Sequence, residues 1–130
     1  MARIMIVDDA AFMRAILSQM LRENGYEIAA EAASGEEAIQ LYRERRPDLV
    51  TMDITMPDMD GITAMRHIRQ FDPAAKIIIC SAMSHQQAVI DSIANGARDF
   101  IAKPLQKERV YSAIERVLAE AGTAPIIKPV

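Results

Sequence analysis

Five short apolar runs, each followed by a stretch with helical spacing, constrain this chain more than any other feature. Residues 3–7, 27–32, 48–53, 76–81 and 99–102 read as strands. The first, third and fourth are nearly continuous in Ile, Val, Leu and Met, the pattern of strands covered on both faces. The second is Ala-rich, but Gly25 and the Ser34-Gly35 turn bracket it tightly. Between them, Met13, Ile16, Leu17, Met20 and Leu21 recur at helical spacing, and Asn24-Gly25 supplies a stop. Ser34 with Glu37 reads as a capping box for a helix carrying Ala38, Ile39 and Leu41 that ends before Pro47. A third helix starts near Asp60-Gly61 and buries Ile62, Met65 and Ile68. Ser84 with Gln87 reads as a second capping box, ahead of Val89, Ile90 and Ile93 and a stop at Asn95-Gly96. The last helix buries Val110, Ala113, Ile114, Val117 and Leu118. A regular (βα)5 alternation implies a doubly wound parallel sheet with helices on both faces, an α/β fold.

Composition sets the bounds. With 130 residues, one domain is expected, and a 51% apolar content excludes disorder. A net charge of −3 and a pI near 5.4 argue against nucleic acid as a partner. No apolar stretch is long enough to span a membrane, and the opening strand pattern leads to the expectation of no signal peptide. Cys80 is the sole cysteine and lies in an apolar run, so a buried free thiol and a cytoplasmic location are expected. The nine methionines read mostly as gap-fillers, although Met56, Met59 and Met83 fall in loops near the strand ends. His67 and His85 lack any metal-ligand pattern and read as surface residues. The folded domain is expected over residues 1–121, with 122–130 as a loosely attached tail.

The chemistry lies where the strands end. In such folds ligands bind beyond the carboxyl ends of the strands. Asp8-Asp9 closes the first run and Asp53 the third. If the first and third strands are neighbours in the sheet, they lie about 4.8 Å apart, and these carboxylates would converge and repel unless a cation intervenes. All-oxygen ligands suit a hard one such as Mg²⁺. Asp9, Asp53 and the backbone carbonyl of Thr55 are the direct ligand candidates, with Asp8 acting directly or through water. Asp53 is also the candidate nucleophile, since a carboxylate can attack phosphorus. Lys103, after the fifth run, supplies a second positive charge for phosphoryl oxygens, and Ser81 a small hydroxyl. The close geometry of the site is consistent with a cis Lys103-Pro104 bond, and Pro57 to Gly61 reads as a rigid turn at the rim.

Val7-Asp8-Asp9, the run Met52-Asp53-Ile54-Thr55-Met56-Pro57 with Asp60-Gly61, Ser81-Ala82 and Lys103-Pro104 together resemble the receiver domain of two-component response regulators. The resemblance extends to about Ala121, and within the family it is closest to the stand-alone chemotaxis regulators. It implies a flavodoxin-like sheet with strand order 2-1-3-4-5. It also implies that Asp53 accepts a phosphoryl group from a histidine kinase, that Asp8 and Asp9 form the acidic pair of a Mg²⁺ site, and that Lys103 is the lysine of the motif. Ser81 matches the hydroxyl residue that follows the phosphoryl group, and Phe100 the aromatic switch position. Output then comes from contact with a protein partner, a flagellar motor switch protein in chemotaxis, and a dedicated phosphatase can end the signal. A monomer is expected. Ser81 stands where Thr is commoner, and Phe100 where many chemotaxis regulators carry Tyr, so no hydroxyl is offered to the partner.

Other classes fit less of the pattern. A single-domain receiver of another phosphorelay shares the same residues. An Asp-nucleophile phosphohydrolase on a similar fold needs an acid/base two positions after the nucleophile, and Thr55 stands there. A flavodoxin-like flavin or nucleotide binder needs a phosphate loop rich in Gly, Ser and Thr, and the first loop is Asp-Asp-Ala-Ala.

Overall fold

The computed structural model describes residues 1–121. The expected tail lies outside the described residues. Element order is β1 (Arg3–Val7), α1 (Ala11–Glu23), β2 (Glu27–Ala32), α2 (Gly35–Arg45), β3 (Leu49–Met52), α3 (Gly61–Phe71), β4 (Ile77–Ser81), α4 (Gln86–Ala94), β5 (Asp99–Ala102) and α5 (Lys107–Ala119). The strands form one parallel sheet in the order β2-β1-β3-β4-β5. This is the expected (βα)5 arrangement, and each strand lies within a residue of its reading.

Side chains alternate across a strand, and the continuous apolar runs use both faces. Ile4, Ile6, Leu49, Ile78, Cys80 and Ile101 pack with Leu17, Met20 and Leu21 of α1 and with Val110, Ala113, Ile114 and Val117 of α5. Met5, Val7, Val50, Met52, Ile77, Ile79 and Phe100 pack on the other face with α2, α3 and α4. Cys80 is buried as expected, and burial pushes its thiol up to about 12. It is therefore unreactive at neutral pH.

The starts of α2 and α3 follow local capping chemistry, and that of α4 departs from it. Ser34 Oγ accepts from the N–H of Glu37, and Asp60 Oδ1 accepts from that of Thr63. The Ser84–Gln87 box does not form. The N-cap of α4 is His85, whose Nδ1 accepts from the N–H of Ala88 at 3.2 Å. Gln87 instead bonds Asp91 Oδ1 within the helix. The helix starts where Ala88 and Ser92 can face the core, and this burial selects a frame one residue later than the local motif. The same choice leaves Ile90 exposed, and on α1 Ile16 is exposed as well. Ile62 and Leu118 are only partly buried.

Candidate functional site

Register brings the acidic clusters together. Val7 pairs with Met52, so Asp8 and Asp53 are the next residues on adjacent strands. The N–H of Asp53 donates to Val7 O at 2.9 Å, and that of Asp8 to Ala32 O at 3.1 Å. Asp8 and Asp53 are buried and Asp9 is exposed. One carboxylate oxygen from each of the three lies within 4.8 Å of the others. Asp8 is not the N-cap of α1, whose cap residue is Ala10 without a side-chain bond. Its Oδ1 accepts from the N–H of Ala10 at 2.9 Å, and its other oxygen faces the cluster's cation.

That cation is Lys103. Its Nζ lies 2.7 Å from Asp8 Oδ2 and 3.1 Å from Asp53 Oδ2. It pairs with both carboxylates, and Asp8 is the shorter contact. Burial alone would lower the lysine's pKa, but the hydrogen bonds and charges of Asp8 and Asp53 outweigh it and hold the group above its ordinary value. Ser81 is fully buried, and its hydroxyl accepts from the N–H of Met83 at 3.1 Å. The carbonyl of Ser81 receives the N–H of Lys103 at 3.0 Å, which ties β4 to the lysine. The Lys103-Pro104 bond is cis. Phe100 is buried in the cluster that contains Ala88 of α4.

The β3–α3 loop forms the rim. The N–H of Thr55 approaches Asp53 Oδ1 at 3.4 Å, and Thr55 itself is exposed. Asp58 sits at φ 66, and the N–H of Met59 reaches Pro57 O at 2.7 Å, a tight three-residue turn. A Cβ on Gly61 would lie 1.9 Å from the carbonyl oxygen of Asp53. Only glycine lets α3 begin against the backbone of the candidate nucleophile. Sequence reading took Gly61 for a turn residue and passed over Arg14. The Arg14 guanidinium donates to Asp8 O at 2.7 Å and pairs with Glu31 at 3.5 Å, bracing the first loop. An arginine one turn into a helix carries no sequence signal for this.

Three carboxylates against one ammonium leave a formal charge of −2 at the mouth of the site. Mg²⁺ takes oxygen ligands at about 2.0–2.1 Å, so two ligands on opposite sides of one ion are about 4.2 Å apart. The three oxygens all lie within 4.8 Å of one another, and the all-oxygen set is the kind a hard cation takes. The residues present fit a divalent ion.

Comparison with known proteins agrees with this geometry. The sequence profile of the response regulator receiver domain matches residues 4–115. The chain belongs to that family. This receiver is 58% identical to the chemotaxis protein CheY of Bacillus subtilis over 116 residues, covering 89% of this chain and 97% of that one. It is 55% identical to CheY of Thermotoga maritima, covering 88% and 96%. Among solved structures it is similar to a chain of a CheX–CheY–BeF3–Mg²⁺ complex from Borrelia burgdorferi, with TM-score 0.88, 40% identity and coverage of 92% and 90%. Among the described residues, no helix is long and apolar enough to cross a membrane.

Proposed function

We propose that this receiver is a phosphorylation-activated switch of the chemotaxis kind, with Asp53 as phosphoacceptor and Asp8, Asp9, Asp53 and the carbonyl of Thr55 as ligands of Mg²⁺. The observation that carries the reading is Lys103 bridging Asp8 and Asp53 inside a three-carboxylate cluster. The Asp53 carboxylate attacks the phosphorus of a kinase phosphohistidine. The new O–P bond forms as the P–N bond breaks, and the electron pair returns to the imidazole, which takes up a proton. Lys103 turns from Asp53 to a phosphoryl oxygen, and the Ser81 hydroxyl follows by exchanging its Met83 contact. A divalent ion held by the acidic residues supplies the remaining charge neutralisation.

Release of Ser81 from the Met83 N–H frees the start of the β4–α4 loop. Phe100, packed beside Ala88, is placed to follow. The surface of α4, β5 and α5 then shifts population toward a form that binds its target, proposed to be a flagellar motor switch protein. A CheA-like histidine kinase is the proposed donor. The resemblance to a CheY solved with CheX supports a dedicated phosphatase as a further partner. Thr55 in place of a second acid leaves no residue for general acid/base turnover, which supports a switch that is itself modified.

Intact-mass measurement with acetyl phosphate tests the site. One added phosphoryl group is expected with Mg²⁺, and none with chelator or in Asp53→Ala. Full phosphorylation of Asp53→Ala would overturn the assignment. Binding of a motor switch peptide before and after phosphorylation separates the chemotaxis reading from a receiver of another relay.

A further inference from the structure

The corner of the molecule away from the acidic site concentrates arginine. Arg3, the first residue of β1, donates to the carbonyls of Arg45 and Arg46 at 2.8 and 3.1 Å. This places the C-terminal end of α2 at the opposite end of the sheet from Asp8 and Asp53. There Arg43 and Arg46 both lie over the ring of Phe71, with Cζ 5.0 and 4.6 Å from its centroid. Phe71 ends α3 and is 39% exposed. Arg46 sits in the left-handed region, at φ 46, between the last turn of α2 and Pro47.

Neither guanidinium has a carboxylate or a hydrogen-bond acceptor among the described residues. The local acids are engaged elsewhere. Asp72 takes the Tyr42 hydroxyl at 2.7 Å on Oδ2 and the N–H of Ala74 at 3.1 Å on Oδ1. Asp48 Oδ2 takes the N–H of Arg3 at 2.8 Å, and Glu44 Oε1 the amide of Gln40 at 3.2 Å. Charge on the last turn of α2 complements the helix dipole. That accounts for Arg43 as a cation; it does not account for two guanidiniums stacked on one exposed ring. Stacking orders each planar group while leaving its N–H edge open, the form in which arginine binds carboxylates in bidentate fashion.

We propose that Arg43, Arg46 and Phe71 form a docking surface for an acidic segment of a partner protein. Its carboxylates would engage the two guanidiniums, and an apolar neighbour would cover the open edge of the ring. Charge complementarity selects this class. A duplex nucleic acid carries a charge every 1.7 Å or so and would run from this corner onto the surface of a chain with net charge −3. A free small anion would leave the ring uncovered. A second copy docking through its Asp8–Asp53 end would bind head to tail without closure, with carboxylates already held by Lys103.

The test uses the whole chain with arginine side-chain NMR and a capped hexapeptide of alternating Glu and Leu. Saturable shifts are expected at the Nε–H of Arg43 and Arg46 and near Phe71, fading with added salt. Arg43→Gln/Arg46→Gln should abolish them. Phe71→Ala should weaken binding about fivefold, the size of an exposed cation–π contact. Thermal unfolding checks that each variant is folded, and Phe71→Leu replaces Phe71→Ala if that variant is not. Shifts spread equally over Arg22 and Arg66 would overturn the proposal. So would unchanged affinity in the folded Phe71 variant, or tighter binding of a short DNA duplex at the same resonances.

Discussion

Strand β5 separates two ion clusters built on opposite principles. At its first residue, Asp99 accepts two hydrogen bonds from Arg109, both at 3.0 Å, and one from Arg116 at 2.7 Å. Arg116 and Arg98 also reach Glu120 at 2.8 and 3.1 Å. Every carboxylate there is met by guanidinium. Just past the last residue of β5, Lys103 is the one cation paired with the Asp8, Asp9 and Asp53 cluster among the described residues. The first cluster is satisfied and fastens α5 to the sheet. The second is under-neutralised, and its remaining negative charge is what a bound divalent cation would offset before an anionic phosphoryl donor could approach. Local charge balance thus separates a structural ion cluster from the proposed functional one, which looks similar as a list of contacts.

Replacing Lys103 should break this contrast most. Lys103→Met leaves buried Asp8 and Asp53 without their cation and should cost about 3 kcal/mol in urea unfolding under chelator. Added Mg²⁺ should recover part of the loss, because an ion bound only to the folded state stabilises it. An equal loss with and without Mg²⁺ would argue that the cluster holds no ion.

Asp9→Asn should show two effects of opposite sign. Removing one of three converging carboxylates should raise the unfolding midpoint under chelator. Mg²⁺ affinity, followed by titration, should fall by roughly 10–100-fold. A midpoint that falls would indicate that repulsion is not stored there.

Asp99→Asn tests the satisfied cluster. A loss of about 1 kcal/mol at neutral pH is expected, since its arginines are half exposed, with no change in Mg²⁺ binding. The two clusters should also fail at opposite ends of the pH scale. Burial raises the Asp99 pKa, but the bonds from Arg109, Phe100 N–H and Arg116 outweigh it and hold it below 3.8. Its contribution is whole above that value and is lost as pH falls through the lowered one. Lys103 is held above 10.5, so its contribution is whole below that value and is lost as pH rises through the raised one. Stability profiles should therefore show Asp99→Asn converging on wild type in acid and Lys103→Met converging in alkali. Lys107→Gln, which removes the exposed pair with Glu23, should leave the unfolding midpoint unchanged.

Much of this was legible in the chain. Three nearly continuous apolar runs require burial on both faces, and five strand-like segments separated by helical spacing leave few topologies other than a doubly wound sheet. Asp8, Asp9, Asp53, Ser81 and Lys103 stood out because polar residues closed runs that were otherwise apolar. Helix frames were less legible where two local signals competed. Ser84 and Gln87 have the spacing of a capping box, yet the core contacts of Ala88 and Ser92 favour a start at His85. Ile16 and Ile90 follow the helical pattern, but each lies outside the arc that the sheet can cover.

The order of residues alone determined which groups arrive at the strand ends, because alternation and chain direction place every βα loop on the same edge. Only the tertiary structure decided how those groups share charge. Lys103 reaches Asp8 across 95 residues of sequence and Asp53 across 50. Gly61 is needed because a helix start packs on the backbone of Asp53. The stacking of Arg43 and Arg46 on Phe71 depends on α2 and α3 packing side by side. Pairings at such separations have no local signature, since they are set by register and packing over the whole sheet.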